Sequence, residues 1–316
     1  MRETYAPSPD VPGEKAETLD QSPKVSPTSA KRIQSLDFLR GIAVMGILFA
    51  NIVAFGQSMT AYIWPTAFIG DDGDPGGWWW IAQFMFVDGK MRGLFTLLFG
   101  AGMILFMQKA WARGDTRWLQ LRRLAILLIF GLLHFYFIWK GDILFGYAVI
   151  GALALLFIKM QARNQLILGL IGFVGGGLLV AGMMVPLAFI ADTQFGETPA
   201  MTDTREGLLI GVEEALASDR REAALIQSGD YGGYVANNFA EHGFTPLSNA
   251  GLFVFETLPF MLIGMALYQM GFFSGGFDRR RLARLGWGGV IAGIVLSLPI
   301  ALWVKASGFT FYGTLA

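Results

Sequence analysis

The chain has no cysteine among its 316 residues. That excludes disulfides, thiolate nucleophiles and cysteine-ligated metals. Histidine is almost as scarce: His134 and His242 are too few for a histidine-rich metal centre, so no metal site is expected. Charge is thin as well. Asp, Glu, Lys and Arg make up 15% of the chain, against roughly 25% in an average soluble domain. Basic and acidic residues cancel to a net charge of zero, which leaves no general pull toward nucleic acid. There is no P-loop, no HExxH, no GxSxG elbow and no CxxC pair, so the familiar soluble-enzyme chemistries find no support. The N-terminal stretch lacks an apolar h-region and does not read as a cleavable signal. No short-period repeat suggests a solenoid.

What the chain has in excess is apolar side chains, at 54%. They fall in blocks, at 42–56, 93–108, 124–139, 143–158, 165–190, 250–273 and 285–304. Crossing the ~30 Å hydrocarbon layer takes about 20 mostly apolar residues in a helix. Several blocks meet that alone and the others do so with their flanks. The expected fold is therefore all-α: a polytopic membrane helix bundle of about seven transmembrane helices, with the lipid bilayer as its main partner. Residues 1–32, rich in Pro, Ser, Glu and Lys, read as a disordered tail. Residues 33–316 read as the bundle, with 192–249 a polar, helical extracytoplasmic insertion between the fifth and sixth spans.

Loop charges suggest an orientation, because Lys and Arg are retained on the cytoplasmic side. Lys31 and Arg32 precede the first span, whereas 57–89 carries Asp71, Asp72, Asp74 and Asp88 without a basic residue. The next connection holds Lys109, Arg113, Arg117, Arg122 and Arg123, and Arg279–Arg281 with Arg284 precede the last span. The alternation fits a cytoplasmic N-terminus in a bacterial inner membrane. "WWW" at 78–80 fits an aromatic belt at the outer interface.

Within this apolar chain "HFYFIWKGDILFGYAVIG" stands out, because His134, Lys140 and Asp142 lie within nine positions. Ionisable groups at membrane depth are costly and usually functional. A histidine reaching headgroup water accounts for His134 equally well. Asp142 precedes a helix, where an aspartate caps free backbone N–H groups; capping does not prevent it from orienting His134. On the first span Asp37 and Arg40 share a face, as an i,i+3 pair, and Asn51 follows near the same face. A snorkelling pair at the interface explains Asp37 and Arg40 too. Lys90 and Arg92 open the second span, where they either hold an anionic group or snorkel. Arg122 and Arg123 open the third.

Four stretches, "SLDFLRGIAVMGILFANI", "GKMRGLFTLLFGAG", "RRLAILLIFGLLHFYFIWKGDILFGYAVIG" and "LPFMLIGMALYQMG", together resemble the YeiB family of bacterial inner-membrane proteins. The first also resembles the opening LDxLRG of transmembrane acyltransferases. The resemblance implies a bundle that moves an acyl group from cytoplasmic acyl-CoA, a co-substrate and not a tightly bound cofactor, to a small-molecule or glycan acceptor at the far face. His134 would then be the general base and Asp142 its orienting partner. Arg40, Arg122 and Arg123 would meet the CoA phosphates, and Lys90 and Arg92 the acceptor. Relative to that family the chain ends early, at "GFTFYGTLA". Two other readings stay open: a permease for a small polar or anionic solute lined by the polar faces of the first and third spans, with Asp37, Arg40 and Asn51 on the first, and an assembly subunit that recruits partners through 192–249.

Overall fold

The computed structural model describes residues 27–68, 77–193, 198–274 and 277–315. Among the described residues all regular structure is helical. In chain order the elements are α1 (Pro27–Gly56), α2 (Met59–Ile63), α3 (Trp78–Phe86), α4 (Lys90–Ala112), α5 (Arg117–Phe137) and α6 (Leu144–Ala154, continued by a 3-10 turn Leu155–Phe157). They continue with α7 (Ala162–Asp192), α8 (Pro199–Gln227), α9 (Tyr231–His242), α10 (Thr245–Gln269), α11 (Arg279–Ala306) and α12 (Phe311–Leu315). Among the described residues six stretches are long and apolar enough to cross a membrane: Leu36–Gly56, Trp78–Ala112, α5, α7, α10 and α11. The protein is thus the all-α polytopic bundle that its composition implies.

Two expectations need adjusting. The block at 143–158 forms only the short helix α6 and its 3-10 turn, about 21 Å long at ~1.5 Å per residue, less than the ~30 Å of hydrocarbon. The expected tail lies outside the described residues up to residue 26, and from Pro27 the chain is already helical, so the tail's last residues belong to α1. Asp71, Asp72 and Asp74 also lie outside the described residues. The segment 192–249 holds α8, α9 and the first turn of α10.

The core lies where α4, α5, α6 and α10 meet. Met103, Ile104 and Met107 of α4, Leu124 of α5, Ile150 of α6 and Met261, Leu262 and Met265 of α10 are all buried there. Glycine sets how closely these helices approach. A Cβ at Gly100 would run into the main chain of Met261, and one at Gly264 into the carbonyl of Leu97, so α4 and α10 touch backbone to backbone. Close approach of this kind replaces the hydrophobic driving force that lipid does not supply. Pro259, inside α10, cannot donate to the Phe255 carbonyl; Gly176 of α7 packs on that carbonyl. The short α6 ends on a buried amide: Gln165 Nε2 donates to the Phe157 carbonyl at 2.8 Å, and Gln269 donates to Gln165 Oε1 at 2.7 Å. Most large side chains on the other faces of α1, α7 and α11 are exposed, as lipid-facing helices require.

One end of the bundle carries a cap of short and amphipathic helices, α2, α8, α9 and α12. This cap end receives the C-termini of α1, α5 and α7 and the N-termini of α4, α6 and α10. α9 completes α5 there. The last carbonyls of a helix have no partner within it, and α9 supplies donors from its side chains. Asn238 donates to the Tyr136 carbonyl at 3.1 Å, Tyr231 to that of Phe137 at 2.9 Å and Tyr234 to that of Ile138 at 3.4 Å. In return Tyr136 donates to the Gly243 carbonyl at 2.6 Å, and its ring stacks on Phe239 at 4.2 Å.

Candidate functional site

The turn 138–143 between α5 and α6 is the centre of the cap end. Asp142 is positioned by the start of α6, where its Oδ2 accepts from the Phe145 N–H at 2.9 Å, which is the expected capping bond. Its side chain is 1% exposed, and its Oδ1 lies 3.1 Å from His134 Nδ1 on the last turn of α5. That distance is short enough for an ion pair, although neither atom is aligned for a hydrogen bond. Burial pushes the Asp142 carboxyl above its usual range, while the amides of Phe145 and Leu144 and the facing His134 pull it back. The two candidates that the sequence places within nine positions are therefore in contact. The His134 ring is held edge-on to Trp139, 6.3 Å between centroids.

Two cavities meet at this turn. The larger, about 670 Å³, is bordered by His134, Lys140, Asp219, Glu222 and Tyr234. The smaller, about 360 Å³, is bordered by Asn51, Asp88, Arg92, Asp142 and Asn249. Trp139 and Lys140 line both. His134 thus faces one chamber and Asp142 the other. Lys140 is 10% exposed and is held by Asp219 at 3.5 Å and by a very close Glu222, both on α8. Asp219 also accepts from the Thr60 N–H of α2 at 3.0 Å, tying three elements to one carboxylate.

The remaining candidates divide between the two ends. Arg92 Nη2 bonds both carboxylate oxygens of Glu256 at 2.8 Å, across from α4 to α10. Lys90 donates to the Phe84 carbonyl at the end of α3 and lies over the Phe84 ring at 4.6 Å. Lys90 and Arg92 are therefore occupied separately and do not form a joint anion site. The chain between them and α3 turns at Gly89, whose φ of +70° suits glycine. Non-helical backbone within an apolar stretch is tolerated where it lines a cavity, and Asp88 and Gly89 border the smaller one.

At the opposite end Arg40 and Arg123 line a cavity of about 340 Å³ with Gln120, Phe95 and Phe99. Arg40 is 3.2 Å from Asp37 and donates to the Leu98 carbonyl at 3.4 Å; the missing side chain of Gly102 makes room for it. Arg123 bonds Gln120 at 3.3 Å and covers the Phe106 ring at 4.0 Å. Arg122 is exposed and borders none of these cavities. Asn51 shares a helix with Arg40 but lines the cap-end chamber, so the polar face expected on α1 serves two separate spaces. Between them lies a layer in which the Tyr147 hydroxyl bonds Thr96 and the Arg92 carbonyl, with Phe95 and Phe99 edge-on to Tyr147 at 5.4 Å each.

Glu256, Asp219 and Glu222 were not among the candidates. Glu256 had a legible signal, as the one acid in the apolar stretch "GLFVFETLPFMLIG". Asp219 and Glu222 sit in a helix full of acids and have no such mark. Among the described residues no group of three or more His, Asp or Glu side chains could hold a metal.

The fold and site define a polytopic α-helical membrane protein with a histidine–carboxylate pair between two chambers at one end of its bundle. Its homologues are YeiB-like. YeiB of Escherichia coli (strain K12) is 29% identical over 277 residues, covering 85% of this chain and 64% of that protein. YxaH of Bacillus subtilis (strain 168) is 38% identical over 146 residues, 43% of this chain and 35% of that protein. A 39.9 kDa protein from the amylase 3′ region of Bacillus acidopullulyticus is 32% identical over 161 residues, 51% of this chain and 44% of that protein. The chain thus spans less than two thirds of the length of these curated relatives, whose names assign no activity. No family model and no solved structure matches it.

Proposed function

We propose that the protein is an acyltransferase of the bacterial inner membrane, with its N-terminus in the cytoplasm and its cap end outside. The basic connections, from Lys109 to Arg123 and from Arg279 to Arg284, lie at the end opposite the cap, which supports this orientation. The observation that carries the reading is the buried Asp142 carboxylate, 3.1 Å from the Nδ1 of a histidine whose ring borders a 670 Å³ cavity.

The chemistry follows from that geometry. Once the 3.1 Å contact aligns in the substrate complex, Asp142 keeps the imidazole proton on Nδ1 and leaves Nε2 free to accept. Nε2 takes the proton from an acceptor hydroxyl or amine as the acceptor's oxygen or nitrogen bonds the acyl carbon. The thioester C–S bond breaks and CoA leaves as its thiolate, which is then protonated. Such proton transfer contributes typically ~10²–10⁴-fold in rate, and its hydrogen bonds tighten only when substrate is bound. Imidazole suits the task because its ordinary pKa of about 6.5 is near neutrality. Arg40 and Arg123 would meet the donor's phosphates at the cytoplasmic end. The Tyr147–Phe95–Phe99 layer must then open for the thioester to reach His134.

The test is acyl transfer by the purified chain with labelled acyl-CoA. His134→Ala is expected to lose about 10²–10⁴-fold of the rate without loss of folded protein. Unchanged turnover removes His134 from the chemistry. A carrier for a small solute is the second reading, favoured by the two cavities on opposite sides of one aromatic layer. Counterflow in liposomes without acyl-CoA binding would support it over the enzyme.

A further inference from the structure

The basic residues at the cap end suggest an anion site until their partners are counted. Two cations border the smaller chamber, Arg92 and Lys140, and Lys90 adjoins it in sequence. Lys90 is taken by the Phe84 carbonyl and ring, Arg92 by Glu256, and Lys140 by both Asp219 and Glu222. Two carboxylates remain on the chamber wall, Asp88 and Asp142. Asp88 accepts a bond from the neutral Gln83 amide at 3.3 Å, with Lys90 nearby in sequence but bonded elsewhere. Asp142 is 1% exposed, and its Oδ1 faces His134 Nδ1 at 3.1 Å without an aligned hydrogen bond. An unsatisfied buried carboxylate oxygen is costly unless something completes it.

Aromatic rings share the rest of the wall with aliphatic side chains. Trp80, Phe84, Trp139, Tyr62 and Phe253 border the same space. An aromatic face carries negative potential and attracts ammonium groups. The protein uses that attraction here itself, in the Lys90 ammonium seated on Phe84. A volume of about 360 Å³ matches the small end of ligand pockets, roughly 300–1,000 Å³.

We propose that this chamber binds a small organic cation, a primary or alkylated amine, with its positive charge among Asp88, Asp142 and the aromatic rings. The site does not depend on the acyl-transfer reading. In a carrier the amine is the cargo; in an acyltransferase it would pass Trp139 and Lys140, which line both chambers, to reach His134.

The experiment uses the full chain in lipid nanodiscs and calorimetric titration with ethanolamine hydrochloride. Glycerol and acetate serve as neutral and anionic probes of similar size. Saturable binding of ethanolammonium, with neither of the others binding, is the expected result. Asp88→Asn keeps the side chain's shape and its capacity to accept from Gln83, and should weaken binding on the order of tenfold or more. Trp80→Leu, which leaves every carboxylate in place, should weaken it severalfold. Acetate binding as well as the cation, no saturable cation binding, or unchanged binding in both variants would overturn the proposal.

Discussion

Replacing Lys140 by methionine removes one charge and strands two. The Lys140 side chain is 10% exposed, and its partners Asp219 and Glu222 are 8% and 12% exposed. Removing one partner of a buried pair costs about 3–5 kcal/mol, because the remaining charge is left unmatched. The strain falls on the contact between α8 and the turn 138–143, since that is where the carboxylates reach down. α8 should therefore open locally before the bundle melts. Ala61 reports on this opening: it is 2% exposed, on α2, beside the Thr60 amide that Asp219 holds. The chain has no cysteine of its own, so Ala61→Cys is a single, clean target for maleimide. The cost of about 3–5 kcal/mol corresponds to a rise of roughly 10²–10³-fold or more in the open fraction, and in labelling rate where opening is a fast pre-equilibrium. Adding Asp219→Asn and Glu222→Gln to Lys140→Met removes the stranded charges and should return most of the protection. Labelling that rises less than tenfold in Lys140→Met would refute the view that this cluster holds the cap down.

Gly264→Val should sharply reduce the yield of folded protein by driving a side chain into the Leu97 carbonyl, whereas Gly175→Ala, with nothing nearby, should be neutral in the same size-exclusion assay. His242 gives the cap a pH dependence. Burial, and then Lys140, hold its pKa below the usual 6.5, against the opposing pull of Glu222, Glu241 and Asp219. A histidine with a lowered folded-state pKa contributes stability that is complete above its unfolded value and declines as pH falls below it. Protection of the Ala61→Cys thiol should therefore weaken from pH 7.5 to pH 5.5, and His242→Gln should flatten that dependence.

The fold was legible because lipid demands long apolar helices, and composition alone reveals them. Apolar run length could not show that α6 would stop short, because its end depends on Gln165 and Gln269, which come from two other helices. The His134–Asp142 contact was legible because both residues flank one turn. The roles of Arg92 and Lys140 were not. Their partners lie 164 residues away for Arg92 and 79 and 82 for Lys140. No local pattern says that a cation will be neutralised from such a distance, and on that neutralisation the sign of the smaller chamber turns.

The sharing of carbonyls between α5 and α9 bears on how the chain is made. Tyr136 and Gly243 are 107 residues apart, and Asn238 and Tyr136 are 102 apart. At ~5–20 residues per second, the ribosome takes roughly 5–20 s to bridge that gap. Throughout that interval the carbonyls of Tyr136, Phe137 and Ile138, just past His134, lack the donors that α9 will bring. The site's scaffold is finished long after its histidine has left the ribosome.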